Sequence, residues 1–279
     1  MGILPEWLRR VLPEKVLVGL RKTHDAARAV PFAFGSRFER CAVRGLAIEL
    51  LVTSGIEHYR AETYASKEPG TLDWLDAELR EGDVLYDVGA NIGLYSLYAA
   101  QRAPGCAVFA FEPEAQNFAH LCRNIHRNGL TQIVPVCVPL SDREEFARLH
   151  VTDMAAGTAF HSLHAPSTQR SDGVRSVLEQ GALATSLDHM TEKLGLPAPS
   201  LLKLDVDGHE LQIVKGMRSL LGSGKIRSLM VEINGEIEGE SASPIPKLLT
   251  ECGYVLAATS DGEAIRRGDT SRNCVFKRK

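Results

Sequence analysis

No run of about 18 apolar residues occurs in the sequence, so no segment reads as a helix long enough to cross a bilayer. There is no basic excess either. Lys and Arg number 32 against 35 Asp and Glu, and a net charge of -3 gives nucleic acid no electrostatic footprint to bind. The six cysteines, Cys41, Cys106, Cys122, Cys137, Cys252 and Cys274, include no C-x-x-C pair. Several lie in apolar runs, as small buried hydrophobes do, and a reduced, cytoplasmic setting is expected. A signal peptide would need an unbroken apolar core where Glu6, Arg9 and Arg10 stand. Internal repeats and low-complexity tracts are missing as well. What is present is ordinary for a globular protein: 279 residues, 44% hydrophobic and 24% charged, enough for one large domain with an appendage.

The most informative stretch is LYDVGANIGLYS, Leu85 to Ser96. An apolar strand runs into Asp87, turns through Gly89, Ala90, Asn91, Ile92 and Gly93, and starts a helix near Leu94. That is the opening strand, loop and helix of a doubly wound α/β domain. The dinucleotide fingerprint G-x-G-x-x-G would want glycine at 91 and 94, where Asn91 and Leu94 stand, so a pyrophosphate is poorly served. Asp87 beside the first glycine favours a ligand carrying ammonium and sulfonium charges. The stretch points to S-adenosylmethionine, with S-adenosylhomocysteine as the product.

Strands and helices then alternate. Cys106 to Pro113 reads as a buried strand ending in Glu112, Asn117 to Asn128 as a helix stopped by Gly129, and QIVPVCVPLSD as a third strand ending at Ser141-Asp142. SLLKLDVDGHE reads as a fourth strand and IRSLMVEIN as a fifth ending at Glu232; GYVLAATS and NCVFKR read as a closing antiparallel pair. The expected fold is α/β, with a seven-stranded, mostly parallel Rossmann-like sheet. Residues 1–58 are expected to be a mostly helical extension to a cofactor-binding domain over 59–279. Within the extension, the run from Cys41 is open between strand and helix. An amphipathic face of Trp7, Leu8, Val11 and Leu12 is expected to dock on its own domain or to join subunits of a homo-oligomer. Residues 143–184, with Gly157, Pro166, Gly173, His150, His161 and His164, are expected to be an insertion or lid over the carboxyl edge of the sheet.

Glu112 lies 19 residues past Gly93, where a carboxylate can accept both ribose hydroxyls. Asp142 can take the adenine amino group, or simply form a turn with Ser141. Asp205, Asp207, His209 and Glu210 cluster at the end of the fourth strand, across from Glu232. Strand alternation puts Lys203, Asp205 and Asp207 on one side. His209 is the preferred base for a hydroxyl acceptor, with Asp205 and Glu232 orienting it or binding the acceptor. A divalent metal on Asp205, Asp207 and Glu232 is the less favoured use of the same carboxylates. Rival readings are a metal-dependent glycosyltransferase using Asp205-x-Asp207 and a non-catalytic binding protein that kept the fold.

At these residues the sequence resembles the FkbM family of S-adenosylmethionine-dependent methyltransferases. The resemblance covers roughly residues 60 to 254 and is carried by KEPGTLDWLD, LYDVGANIGLYSLYAA, FAFEPEAQNFAHLCRNI, the SD after the third strand, ATSLDHM, LLKLDVDGHELQIVKGM and VEIN. It implies a class I methyltransferase fold and O-methylation of a hydroxyl on a sugar, glycoconjugate or related natural product. It also implies cofactor-binding places at Asp87, Gly89, Asn91, Gly93, Glu112 and Asp142; Ala90, Pro113 and Ser141 beside them, and Asp205, are grouped with these. Two positions depart from the pattern: Asp207 stands where the family often has Glu, and Pro139 where it more usually has Ala.

Overall fold

The computed structural model describes residues 36–159, 161–163, 176–233, 243–261 and 271–279. The first element is a hairpin, β1 (Arg37–Val43) and β2 (Leu46–Val52), paired antiparallel through the two-residue turn Arg44-Gly45. Both turn residues have positive φ, 49° and 84°, the conformation that matches the twist of a two-residue hairpin. Arginine is an unusual occupant, and its guanidinium is anchored by Asp73 and Asp76, each at 2.6 Å. The hairpin corrects the expectation of a mostly helical 1–58 over residues 37–52. Its Ile48 and Leu50 share one core with Leu97 and Val108, so residue 58 does not separate two cores. Residues 1–35, with the Trp7 face and the subunit contact expected of it, lie outside the described residues.

Two helices follow, α1 (Gly55–Thr63), capped by the Ser54 side chain, and α2 (Pro69–Glu78), which begins on a proline whose missing N–H costs a first turn nothing. The alternating part is β3 (Val84–Val88), α3 (Leu94–Arg102), β4 (Ala107–Phe111), α4 (Ala115–Asn128) and β5 (Ile133–Val136). Next come β6 (Glu145–Val151), β7 (Ser162–Leu163), β8 (Leu178–Ala184), α5 (Leu187–Glu192), β9 (Leu201–Leu204), α6 (Glu210–Lys215) and α7 (Arg218–Gly222). The chain closes with β10 (Ser228–Ile233), α8 (Ile245–Glu251), β11 (Tyr254–Asp261) and β12 (Arg272–Arg278).

The main sheet has the order β11-β12-β10-β9-β3-β4-β5. Its pairings are parallel from β10 to β5, and β12 runs antiparallel between β10 and β11. This is the expected class I methyltransferase sheet. The chain first moves outward from β3 through β4 to β5, then returns to the other side of β3 at β9. That reversal opens a crevice at the carboxyl ends of β3 and β9, where such sheets bind ligands. The hairpin and α2 to α4 cover one face around Leu72, Leu97 and Leu121; α5 to α8 cover the other around Leu187, Val214 and Leu249. Among the described residues no helix is long and apolar enough to cross a membrane.

One expectation near the crevice is corrected, and the segment that follows it has a structure of its own. The third strand stops at Val136 rather than running to Asp142; Pro139 beyond it lacks a ladder donor, and among the described residues Leu140 forms an isolated bridge to Thr185. In the 143–184 segment, β7, β6 and β8 form a three-stranded antiparallel sheet around Ala147, Leu149, Leu163 and Ala184. His164, Pro166 and Gly173 lie outside the described residues.

Candidate functional site

β3 delivers Asp87 to the floor of the crevice. Its Oδ2 accepts from Ser96 Oγ at 2.6 Å, at the start of α3. Its Oδ1 is buried, has no hydrogen-bond partner among the described residues, and lies 3.7 Å from Lys203 Nζ. The chain then turns through Gly89 and Gly93, both left-handed at φ 83° and 97°, with Asn91 at 51° between them. A Cβ on Gly89 would collide with the carbonyl of Asp205, so only glycine lets this turn pass the end of β9. The amides of Gly89 and Ala90 bond to Phe111 O, while Asn91 N donates to Glu112 Oε2 at 2.8 Å.

Glu112 therefore sits between two turns. Its second oxygen accepts from Glu114 N at 2.9 Å, and only 5% of the residue is exposed. Burial pushes the carboxyl up to about 7, against the opposing pull of those two amides. Glu114 in turn caps α4 by accepting from Gln116 N and Asn117 N. Pro113 lies on the same turn. Ser141 and Asp142, expected at a strand end, follow the Leu140 bridge instead. Ser141 N donates to Thr185 O at 2.8 Å, and Asp142 is exposed beside Arg143.

β9 reads LLKL and is buried throughout. Lys203 is 3% exposed, with Nζ 3.0 Å from Asp205 Oδ2 and 5.2 Å from the centre of the Tyr95 ring. Burial opposes its charge, but Asp205, Asp87 and Glu68 outweigh that and hold the ammonium above the ordinary lysine value. Glu68 is itself placed by the Tyr95 hydroxyl, which donates to it at 2.8 Å. Asp205 is half-buried, and loss of water would raise it, yet Lys203 keeps it below the usual carboxylate range. Glu232, reaching over from β10, moves the opposite way. Burial first, then the negative charge of Asp205, pushes its carboxyl far above the usual range. The two acids are thus pushed apart, Asp205 towards its charged form and Glu232 towards its neutral one, and Ser271 Oγ donates to Glu232 at 2.5 Å.

Alternation along β9 ends at Leu204. Asp207 takes a left-handed φ of 58° and Gly208 one of 106°, so Asp207 does not continue the row of Lys203 and Asp205 as expected. Glu210 secures this turn, accepting from Val206 N at 3.0 Å and Gly208 N at 3.1 Å; burial pushes its carboxyl up to about 7. His209 is the N-cap residue of α6, and its Nε2 lies 3.4 Å from Ser141 Oγ. Asp87 and Asp205 thus come together through Lys203 and Glu232 joins them beside Asp205, while Asn91 and Glu112 meet one turn away and His209 faces Ser141. Sequence reasoning missed Lys203 as the centre of the cluster, together with Tyr95, Glu68 and Ser96. The available signal was a lysine inside a strand otherwise made of leucine, which stays buried only when carboxylates surround it.

The carboxylates around a buried, unpartnered Asp87 oxygen fit the ammonium-bearing end of S-adenosylmethionine, and Glu112 fits its ribose. Among the described residues no group of three or more His, Cys, Asp or Glu side chains is arranged to hold a metal ion.

Residues 87–256 match the methyltransferase FkbM domain. The chain is 31% identical over 209 residues to the hexuronic acid methyltransferase AglP of Haloferax volcanii, spanning 75% of this chain and 78% of that protein. It is 30% identical over 206 residues to the 31-O-demethyl-FK506 methyltransferase FkbM of Streptomyces tacrolimicus, spanning 66% of this chain and 77% of that one. Among solved structures, methyltransferase FkbM from Methylobacillus flagellatus KT is similar at a TM-score of 0.46 and 18% identity, covering 71% of this chain and 44% of that one.

Proposed function

The chain belongs to the FkbM family of S-adenosylmethionine-dependent methyltransferases, and from that premise we propose that it methylates a hydroxyl oxygen of a sugar, glycoconjugate or related natural product. The observation that carries the hydroxyl is the pair of acids at the switch point: Asp205, 3.0 Å from the buried Lys203 ammonium, and Glu232 on β10, which accepts from Ser271 Oγ. Support for a carbohydrate comes from AglP, whose name gives a hexuronic acid as its substrate.

Asp87 binds the cofactor's ammonium and Glu112 its ribose hydroxyls, with Ala90, Asn91 and Pro113 shaping the walls and Ser141 and Asp142 on the adenine side. S-adenosylmethionine supplies an electrophilic methyl group when bound. An alcohol holds its proton far above pH 7, so the proton must leave as the new O–C bond forms, and a positioned base contributes roughly 10²–10⁴-fold. Asp205 takes that proton. Glu232, donating to Asp205, fixes the orientation of its carboxylate, and Lys203 keeps Asp205 ionised in a site that would otherwise neutralise it. His209, the base expected from sequence, faces Ser141, and we place it at the adenine side instead. The glycosyltransferase reading of Asp205-x-Asp207 gives way to the family.

Methyl transfer from labelled S-adenosylmethionine to glucuronate- and galacturonate-containing glycans, and to extracts of the source cell, is the test. A hexuronic acid offers both hydroxyls and a carboxylate, and alkali separates the products. A label retained after saponification is an ether and supports a hydroxyl acceptor. A label released by alkali is an ester and refutes it, and no transfer to any acceptor despite cofactor binding revives the non-catalytic reading.

A further inference from the structure

The antiparallel sheet of the 143–184 segment, expected as an insertion or lid over the carboxyl edge of the main sheet, bonds to the turns that follow β3 and β4. Gln180, on β8, accepts from Ala115 N at 3.1 Å and donates to Pro113 O at 2.7 Å, bracketing the turn that follows Glu112. After β6 the chain makes a tight turn, and the carbonyl of Thr158 accepts from Asn91 Nδ2 at 2.9 Å and Asn117 Nδ2 at 3.1 Å. Gly157 N donates to Asn117 Oδ1 at 2.7 Å, and Gly157 O accepts from Arg60 Nε at 2.6 Å. At the far end of β8, Thr185 O accepts from Ser141 N. The two amides that hold Glu112 come from Asn91 and Glu114. Both belong to turns that the small sheet grips through side-chain amides.

We propose that the three-stranded sheet is a clamp on the nucleoside half of the cofactor site, with Gln180 and Asn117 as positioning residues that hold the Pro113–Ala115 and Asn91 turns around Glu112. This rests on the assignment of Glu112 to the ribose. A free carboxamide matches a backbone N–H and C=O pair with one donor and one acceptor, so each bracket fixes a turn without adding charge. The clamp gains its effect by preorganisation: the Glu112 carboxylate is set before the ligand arrives, and that ordering is not taken from binding energy.

The experiment measures binding of S-adenosylhomocysteine and of adenosine by calorimetry to the full chain and its variants. Gln180→Ala removes both bonds of one bracket and is expected to weaken both ligands alike, by roughly fivefold, the value of about one net hydrogen bond. Gln180→Glu keeps the acceptor for Ala115 N but sets a carboxylate oxygen against Pro113 O, where the amide donated at 2.7 Å, so it should weaken both ligands at least as much as alanine. Asn117→Asp, which loses its donor to Thr158 O, should weaken both ligands while leaving the acceptor for Gly157 N. Phe146→Ser, on the exposed face of the same sheet at 69% exposure, should leave both affinities unchanged. Unaltered affinities in Gln180→Ala and Asn117→Asp overturn the clamp. So does a Phe146→Ser variant that weakens binding as much, because the effect would then be general loosening. Should a variant fail to fold, the remaining three decide by the same ordering. Wild type that binds neither ligand sinks the cofactor assignment itself, a result distinct from wild type that binds and variants that bind equally well.

Discussion

Replacing Glu112 by Gln separates what this residue does for the ligand from what it costs the fold. Moving the carboxyl from 4.5 to about 7 means the folded protein holds this proton more tightly than the unfolded chain. That contribution to stability is full below about pH 4.5 and is lost as the pH rises through 7, amounting to roughly 3 kcal/mol. Glutamine is neutral throughout, so it escapes this loss. It brings a different one: of the two amides at 2.8 and 2.9 Å, one must face the carboxamide NH2, donor against donor, at about 1–3 kcal/mol. At pH 5, where wild type has already lost roughly 1 kcal/mol of this term, the variant should be less stable by up to about 2 kcal/mol, and at pH 8 the two effects should offset to within about 2 kcal/mol. Cofactor affinity behaves otherwise. Losing a charge-assisted bond to ribose removes about 1.5–3 kcal/mol, so the Kd for S-adenosylhomocysteine at pH 8 should rise roughly 10- to 150-fold. Urea melts at both pH values and calorimetric titration at pH 8 measure the two parts. A Kd within threefold of wild type, in a folded variant, refutes the ribose assignment; an equal stability difference at both pH values refutes the titration of Glu112.

Lys203→Met should cost about 3–5 kcal/mol in urea melts at neutral pH, because Asp87 is left buried and the half-buried Asp205 beside it loses the same cation; a melt matching wild type would show that water reaches Asp87. Glu232→Gln should lower kcat while the Kd for S-adenosylhomocysteine stays within a few-fold. His209→Ala should leave cofactor affinity nearly intact, and if it loses about 10²-fold or more in kcat while Glu232→Gln stays active, the base is His209 after all. Gly89→Ala places a Cβ on the Asp205 carbonyl at a left-handed φ of 83°, so loss of cofactor binding and a lowered melting temperature are expected, and a wild-type titration curve would contradict the close approach of the two turns.

The sequence by itself determined the alternation of the sheet, the glycine turn after Asp87 and the placing of Glu112, because each depends on residues close together in the chain. A leucine- and valine-rich run ending in Asp-Val-Gly can do little but leave the core at that point. The hairpin was harder to read. Arg44 is an uncommon occupant of a left-handed turn, and the aspartates that hold it there come about thirty residues later. The end of the third strand was misplaced because a proline in an apolar run still looks like strand until its missing donor is counted.

Only the tertiary structure decided which charges meet. Lys203 lies 116 positions from Asp87 and 29 from Glu232, yet parallel pairing of β9 with β3 and β10 brings all three into one cluster. The pull on each then follows from its neighbours: Asp205 is held down by the ammonium, and Glu232 is pushed up by burial and by Asp205. The small sheet likewise reveals its direction only through bonds from Gln180 and Thr158 to turns far away in sequence. Local pattern specifies backbone conformation because that is settled within a few residues. Protonation and positioning depend on distances across the fold, and no single stretch of chain contains them.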